Sequence, residues 1–220
     1  MKEIEVIKEI LNTENTSNGS ISTLTVAIRG VRELDNRDLY TGKKNTTESV
    51  DNNVHKSQNN TFAHYKFLVL ANYLIIIDLI GNIFTIKGKN EIKGDRFKQT
   101  LQQFTSLEND QINSIKNLRN SLAHNFSLGN DSEIFSLDYA NNFSTLIKPA
   151  EDTYPITKRK DSKTEKNYTK INYEALCDLV EQMYIDLKSL NESNKLQLIS
   201  RYKDGDNVKI NDIRSKYFIK

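Results

Sequence analysis

Residues 67–84 form the most apolar stretch of the chain, centred on Leu74-Ile75-Ile76-Ile77-Asp78-Leu79-Ile80. A run of this kind has two destinations, a lipid bilayer or the middle of a protein core. Asn72, Asp78, Gly81 and Asn82 interrupt it. A mid-span Asp costs about 2.5–3.5 kcal/mol even on a lenient insertion scale. The uninterrupted apolar run also falls far short of the ~20 residues that a bilayer needs. The segment therefore reads as a central core helix over residues 61–86, and no membrane partner is expected.

Two prolines and eight glycines in 220 residues are few breaks for this length, which favours long helices over many short strands. A short helix is expected over 2–11. A second is expected over 22–39, with Ile21, Leu24, Ile28, Val31 and Leu34 as its apolar stripe. Asp95 is placed to cap a helix over 96–107, and another helix runs from 108–110 to about 126. The last major helix covers 173–188 and extends towards 202, with a short strand or helix in the tail. Residues 12–20 and 41–60 read as polar loops.

Between these helices, residues 134–139 and 143–147 alternate with period two around Ala140-Asn141-Asn142, which reads as a β-hairpin. Residues 157–166 follow as a charged, basic-leaning loop. The expected fold is thus mainly α, one helical-bundle domain over 1–220 with a β-hairpin and basic-loop insertion at 133–171.

A formal charge of +2 neither demands nor excludes a nucleic-acid partner, so any basic patch must come from local segregation of charge. Cys177 is the single cysteine and cannot form an intramolecular disulfide. No Cys/His spacing resembles a zinc site, so no metal or other cofactor is expected. Glu3 and Glu5 stand where a signal peptide would be basic. The expected location is a reducing cytoplasm.

The chemistry-bearing stretch is Arg119-Asn120-Ser121-Leu122-Ala123-His124. Imidazole moves protons near neutral pH, and guanidinium grips phosphate through a fixed fork of donors. Together with the Asn120 amide they suggest work on a phosphodiester. On an ideal helix Ile112, Ile115, Leu118, Leu122 and Phe126 share one apolar stripe. Asn113, Asn117, Asn120 and His124 share the adjacent flank, and Arg119 lies about 140° from His124. The bland alternative is that Arg119 pairs with an acid while His124 sits at a helix C-terminus, where a cation is favoured. The residues alone leave both readings open.

Leu118-Arg119-Asn120-Ser121-Leu122-Ala123-His124-Asn125 resembles the Arg-x(4–6)-His signature of the HEPN superfamily, whose preference for a polar residue after the Arg is met by Asn120. The resemblance implies a bundle of about four long helices. It implies a metal-independent endoribonuclease of prokaryotic toxin–antitoxin, abortive-infection or phage-defence type, acting on RNA. It also implies a homodimer with two motif copies facing a shared cleft, and an antitoxin or another defence-system protein as partner. Arg119, Asn120 and His124 would be the catalytic residues. The alternative is a HEPN-like module that binds RNA, a nucleotide or a protein without cleaving. In one subset of the family a Tyr two residues after the His is modified to silence the toxin; Phe126 stands there and has no hydroxyl to modify.

Other candidates are secondary. Lys158, Arg159 and Lys160 could hold an RNA backbone. His64 reads as a structural histidine, and His55 as a loop residue facing solvent. Asp78 must find a partner or face water.

Overall fold

The computed structural model describes residues 2–12, 20–45, 55–90, 94–125, 127–129, 133–139, 144–149, 154–158, 162–205 and 207–219; side chains within 55–65 and 154–167, and those of Asn125 and Pro149, lie outside the description. The chain is mainly α and divides into two compact units. The first comprises residues 1–104 and 181–220, and the second residues 105–180.

In the first unit, helix α1 (Glu3–Ile10) leads through strand β1 (Ile21–Ser22) into α2 (Thr23–Leu34). Ser22 caps α2 by accepting the Thr25 N–H at 3.0 Å, the bond its residue type predicts. Its hydroxyl donates to the Ile10 carbonyl at 2.6 Å, and the Thr25 hydroxyl donates to the Asn12 carbonyl at 2.8 Å. Two short side chains thereby join the end of α1 to the start of α2.

Leu24, Ile28 and Val31 are buried as the stripe requires, but Leu34 is 46 % exposed because α2 stops there, five residues before the expected end. Asn36 adopts φ +52°, and the N–H groups of Asn36 and Arg37 turn back to the Glu33 and Arg32 carbonyls. That is a Schellman closure with Asn in the left-handed position, a local device that apolar spacing cannot reveal.

The segment after α2 folds back onto Arg32, which is 1 % exposed. Its Nε and Nη2 grip both carboxylate oxygens of Glu181, and its Nη1 donates to the Leu39 and Tyr40 carbonyls. The Tyr73 hydroxyl donates to Glu181 Oε1 at 2.9 Å. Gly42 has φ +74°, and a Cβ there would overlap Glu181 Oε2. Glycine is thus required twice over at that position.

Helix α3 (His55–Ile83) begins six residues before its expected start, so 55–60 is helix instead of loop. His55, expected in a loop, opens that helix. The polar run Lys56-Ser57-Gln58-Asn59-Asn60 carries no apolar signal and hides the helix from a periodicity argument. Its apolar window, Lys66–Ile83, is long and apolar enough to cross a membrane, yet half of it is buried inside the protein. Ile76, Ile77, Ile80 and Ile83 are all at 0 % exposure, as a core helix requires, and Asp78 is half-buried.

Strand β2 (Phe84–Ile86) follows, then α4 (Arg96–Phe104), capped by Asp95 Oδ1 accepting the Lys98 N–H at 3.2 Å. Helix α4 ends three residues before its expected limit.

The second unit contains α5 (Asn109–Asn125), β3 (Glu133–Asp138), β4 (Ile147–Pro149), β5 (Tyr154–Lys158) and β6 (Ser162–Asn172), then the first residues of α6 (Tyr173–Glu192). The expected hairpin between 134–139 and 143–147 is not formed. β3 pairs in parallel with β6, from Glu133 opposite Asn167 to Asp138 opposite Asn172, and β4 lies antiparallel on the other side of β6. The hairpin in this stretch is β5–β6, which takes up most of the expected basic loop. Period-two patterning identifies a strand but not its partner. The early part of β6 is so rich in Lys, Thr and Glu that it reads as solvated chain; alternation appears only where Thr169 and Ile171 are buried around exposed Lys170.

The chain then returns to the first unit. β7 (Leu196–Leu198) pairs antiparallel with β2, followed by a 3-10 turn, η1 (Ser200–Tyr202), and the short pair β8 (Lys203–Asp204) and β9 (Asn207–Val208). Helix α7 (Ile210–Tyr217) leads to β10 (Phe218–Ile219), which pairs with β1. Tyr202 and Tyr217, each 4 % exposed, share a hydroxyl–hydroxyl hydrogen bond of 2.6 Å. Burial, helped by that bond, pushes the Tyr217 phenol up to about 12.

Two outcomes follow from this packing. Glu181→Ala leaves the Arg32 guanidinium buried without its counter-charge and should cost about 3–5 kcal/mol in denaturant unfolding, against about 1 kcal/mol for Tyr73→Phe. The folded Tyr217 phenol keeps its proton between pH 10 and about 12 while the unfolded one loses it. Stability should therefore fall as pH rises through that window, and Tyr217→Phe should fall less steeply in unfolding curves recorded across it.

Candidate functional site

Helix α5 starts with local help: the Glu108 N–H donates to Gln111 Oε1 at 3.1 Å, and Asp110 sits in the first turn, where the helix dipole favours an acid. Ile112, Ile115, Leu118 and Leu122 are all buried, which fixes the rotation of the helix and so decides which side chains reach water. Past Asn125 the chain turns sharply. The Ser127 hydroxyl donates to the Gly129 carbonyl at 2.7 Å, and the Phe135 N–H donates to the Leu128 carbonyl at 2.6 Å, bringing β3 back against the turn.

On this frame Arg119 and Asn120 are half-buried and His124 is exposed in the last turn. Arg119 Nη1 donates to Asn120 Oδ1 at 3.2 Å. The bond occupies the Asn120 amide oxygen and leaves its N–H groups directed to no described residue. No hydrogen bond joins His124 to Arg119, Asn120 or any other described residue. The structure thus brings Arg119 and Asn120 together and leaves His124 separate from them, as the angular offset on one helix dictates.

Beneath this surface lies an acid that sequence reasoning passed over. Glu133, 8 % exposed at the start of β3, accepts from Asn117 Nδ2 at 3.1 Å and from the Thr169 hydroxyl at 2.5 Å. One carboxylate therefore ties α5, β3 and β6 together. Asn117, expected as part of an open polar flank, is held inward by it. The Ser121 hydroxyl donates to the Asn117 carbonyl at 2.9 Å, one turn below the Ala123–His124 end. The only sequence signal for Glu133 is an acid opening an alternating strand, which reads equally well as a solvated strand end.

The remaining candidates are placed as follows. Lys158 ends β5, its side chain lying outside the description, and Arg159 and Lys160 lie outside the described residues, as does Phe126. His64 belongs to α3, its side chain again outside the description. Among the described residues no three His, Cys, Asp or Glu side chains gather into a metal-binding group. Cys177 is buried as a free thiol. No protein-family model matches the chain, and neither does any curated protein or solved structure.

Glu133→Ala should destabilise the protein by about 1–3 kcal/mol in chemical unfolding, since it strands the buried Thr169 hydroxyl and releases Asn117. Glu133→Gln, which keeps an acceptor oxygen, should cost less.

Proposed function

We propose that this chain is a metal-independent endoribonuclease of the HEPN type, working in the prokaryotic cytoplasm in a toxin–antitoxin, abortive-infection or phage-defence role. The observation that carries the reading is the end of α5, where Arg119 is tied to Asn120 and an exposed His124 stands one turn further on. The mainly α build and the lengths of α3, α5 and α6 (29, 17 and 20 residues) support the bundle that the motif implies.

The chemistry is cleavage by the neighbouring 2′-hydroxyl. That oxygen loses its proton to a base and attacks the adjacent phosphorus. The bond to the 5′-oxygen breaks, and that oxygen takes a proton from an acid. The products end in a 2′,3′-cyclic phosphate and a 5′-hydroxyl. His124 serves as the base or the acid. Arg119 holds the phosphate and neutralises the charge that builds on its oxygens, with the Asn120 amide as a further donor.

One copy of α5 points Arg119 and His124 about 140° apart, so a single helix does not close a site around one phosphate. A homodimer solves this by facing two motif helices across a cleft, with the two imidazoles dividing the acid and base roles. An antitoxin or other defence-system protein would act by covering that cleft.

The test is cleavage of single-stranded RNA in EDTA, with the ends analysed for cyclic phosphate. His124→Ala and Arg119→Ala should each lower the rate by roughly 10²–10⁴-fold while the far-ultraviolet circular dichroism stays unchanged. Undiminished cleavage by His124→Ala would sink the catalytic assignment. RNA binding without any cleavage by the wild type would favour the non-catalytic module instead.

A further inference from the structure

Three cations from three elements are linked through Asn82 and the Tyr202 ring in the first unit. Arg96 opens α4, Arg201 lies in η1 and Lys216 lies in α7. Arg96 Nη1 donates to Asn82 Oδ1 at 2.5 Å, and Arg201 Nη2 reaches the same oxygen at 3.4 Å. Arg201 Nη2 also donates to the Asn82 carbonyl at 2.6 Å, near the C-terminus of α3, where carbonyls lack partners within the helix. The Arg201 guanidinium carbon sits 4.7 Å from the Tyr202 ring centre, and Lys216 Nζ sits 5.9 Å from that ring and 5.6 Å from the ring of Tyr217.

Every one of these anchors is neutral: an amide, a carbonyl, two phenol rings and the Tyr217 hydroxyl, which accepts from Arg201 Nη2 at 3.2 Å. No ion pair joins any of the three cations to a described carboxylate. The same unit pairs other cations with acids, Arg32 with Glu181, Arg37 with Asp35, Lys203 with Glu3 and Arg214 with Glu9. Like charges without a counter-charge among the described residues repel one another, and an external anion relieves that repulsion.

The donors also suit a particular anion. Two guanidinium groups that share one oxygen stand close enough for two oxygens of a single phosphate to accept from both. Arg96 and Arg201 each use one terminal nitrogen inside the protein and keep the rest of the fork, and Arg201 and Lys216 are exposed. Contact with the ring faces restrains Arg201 and Lys216 without using up their N–H groups.

We propose that Arg96, Arg201 and Lys216 form a site for a phosphate group, filled by a backbone phosphodiester of RNA. The phosphate chemistry stands on this cluster alone, and the naming of RNA rests on the function proposed for α5. The site would hold the strand through contacts that carry no base information.

The test uses the full chain in a His124→Ala background, so that RNA is bound and not cut. A fluorescent single-stranded RNA is titrated by anisotropy over a series of salt concentrations, and thermal melts are run with and without inorganic phosphate. Arg96→Gln/Lys216→Gln spares the Arg201 cap on α3. It should weaken RNA binding roughly fivefold or more and reduce the slope of log K against log salt by about 0.7, the value for one lost single-strand phosphate contact. Should that double variant fail to fold, Lys216→Gln alone, which gives up only two ring contacts, should weaken RNA binding and reduce the slope in the same direction by less than the double variant would. If RNA binds neither protein but inorganic phosphate raises the melting temperature of the parent and not of the variant, the phosphate site stands, its source is a free phosphate, and RNA as its ligand falls. Equal RNA affinity and slope, with no difference in phosphate protection, would overturn the proposal.

Discussion

The Arg32–Glu181 pair is the constraint around which the first unit is organised. Both groups are almost fully removed from water, and charges in that position are costly unless each donor and acceptor is used. Here the guanidinium spends its fork on one carboxylate and on two loop carbonyls, while Tyr73 adds a hydroxyl to the same carboxylate. The arrangement gives less net stability than its short distances suggest, because desolvation offsets much of the attraction. What it gives instead is exclusivity. Any slip of α2, α3 or the 39–42 segment would leave a bare charge in the interior.

Much of the framework was legible in the sequence because it rests on periodic burial. The core helix, the Asp95 cap and the stripe on α5 all follow from spacing and cap chemistry, and the structure carries the helix, the cap and the stripe from Ile112 to Leu122. What escaped was whatever depends on a single residue's local geometry or on a distant partner. Asn36 ends α2 by taking a left-handed conformation, which leaves no trace in hydropathy. β6 hides because its polar residues look like a solvated loop until β3, β4 and β5 are set beside it.

The same division runs through the candidate residues. Arg119, Asn120 and His124 are neighbours in one helix, so a short motif finds them. Glu133 and the Arg96–Arg201–Lys216 cluster are assembled from residues far apart in the chain, and only tertiary structure unites them. The two proposed contacts with RNA also differ in kind. One places a proton-transfer group beside a phosphate, and the other offers fixed positive charge and nothing that reacts.

The central position of β6 has a consequence for how the protein is made. Three partner strands depend on it, and it is the last of the four to be synthesised. β5 can close on it as a local hairpin, but β3 must wait, since Glu133 finds its place only opposite Asn167. Until then β3 presents an unpaired edge directly after the α5 helix. A ribosome that pauses before residue 167 therefore holds a chain whose motif helix is complete and whose supporting sheet is not. In that interval α5 lacks the Glu133 link through Asn117 and Thr169 that ties it to the sheet.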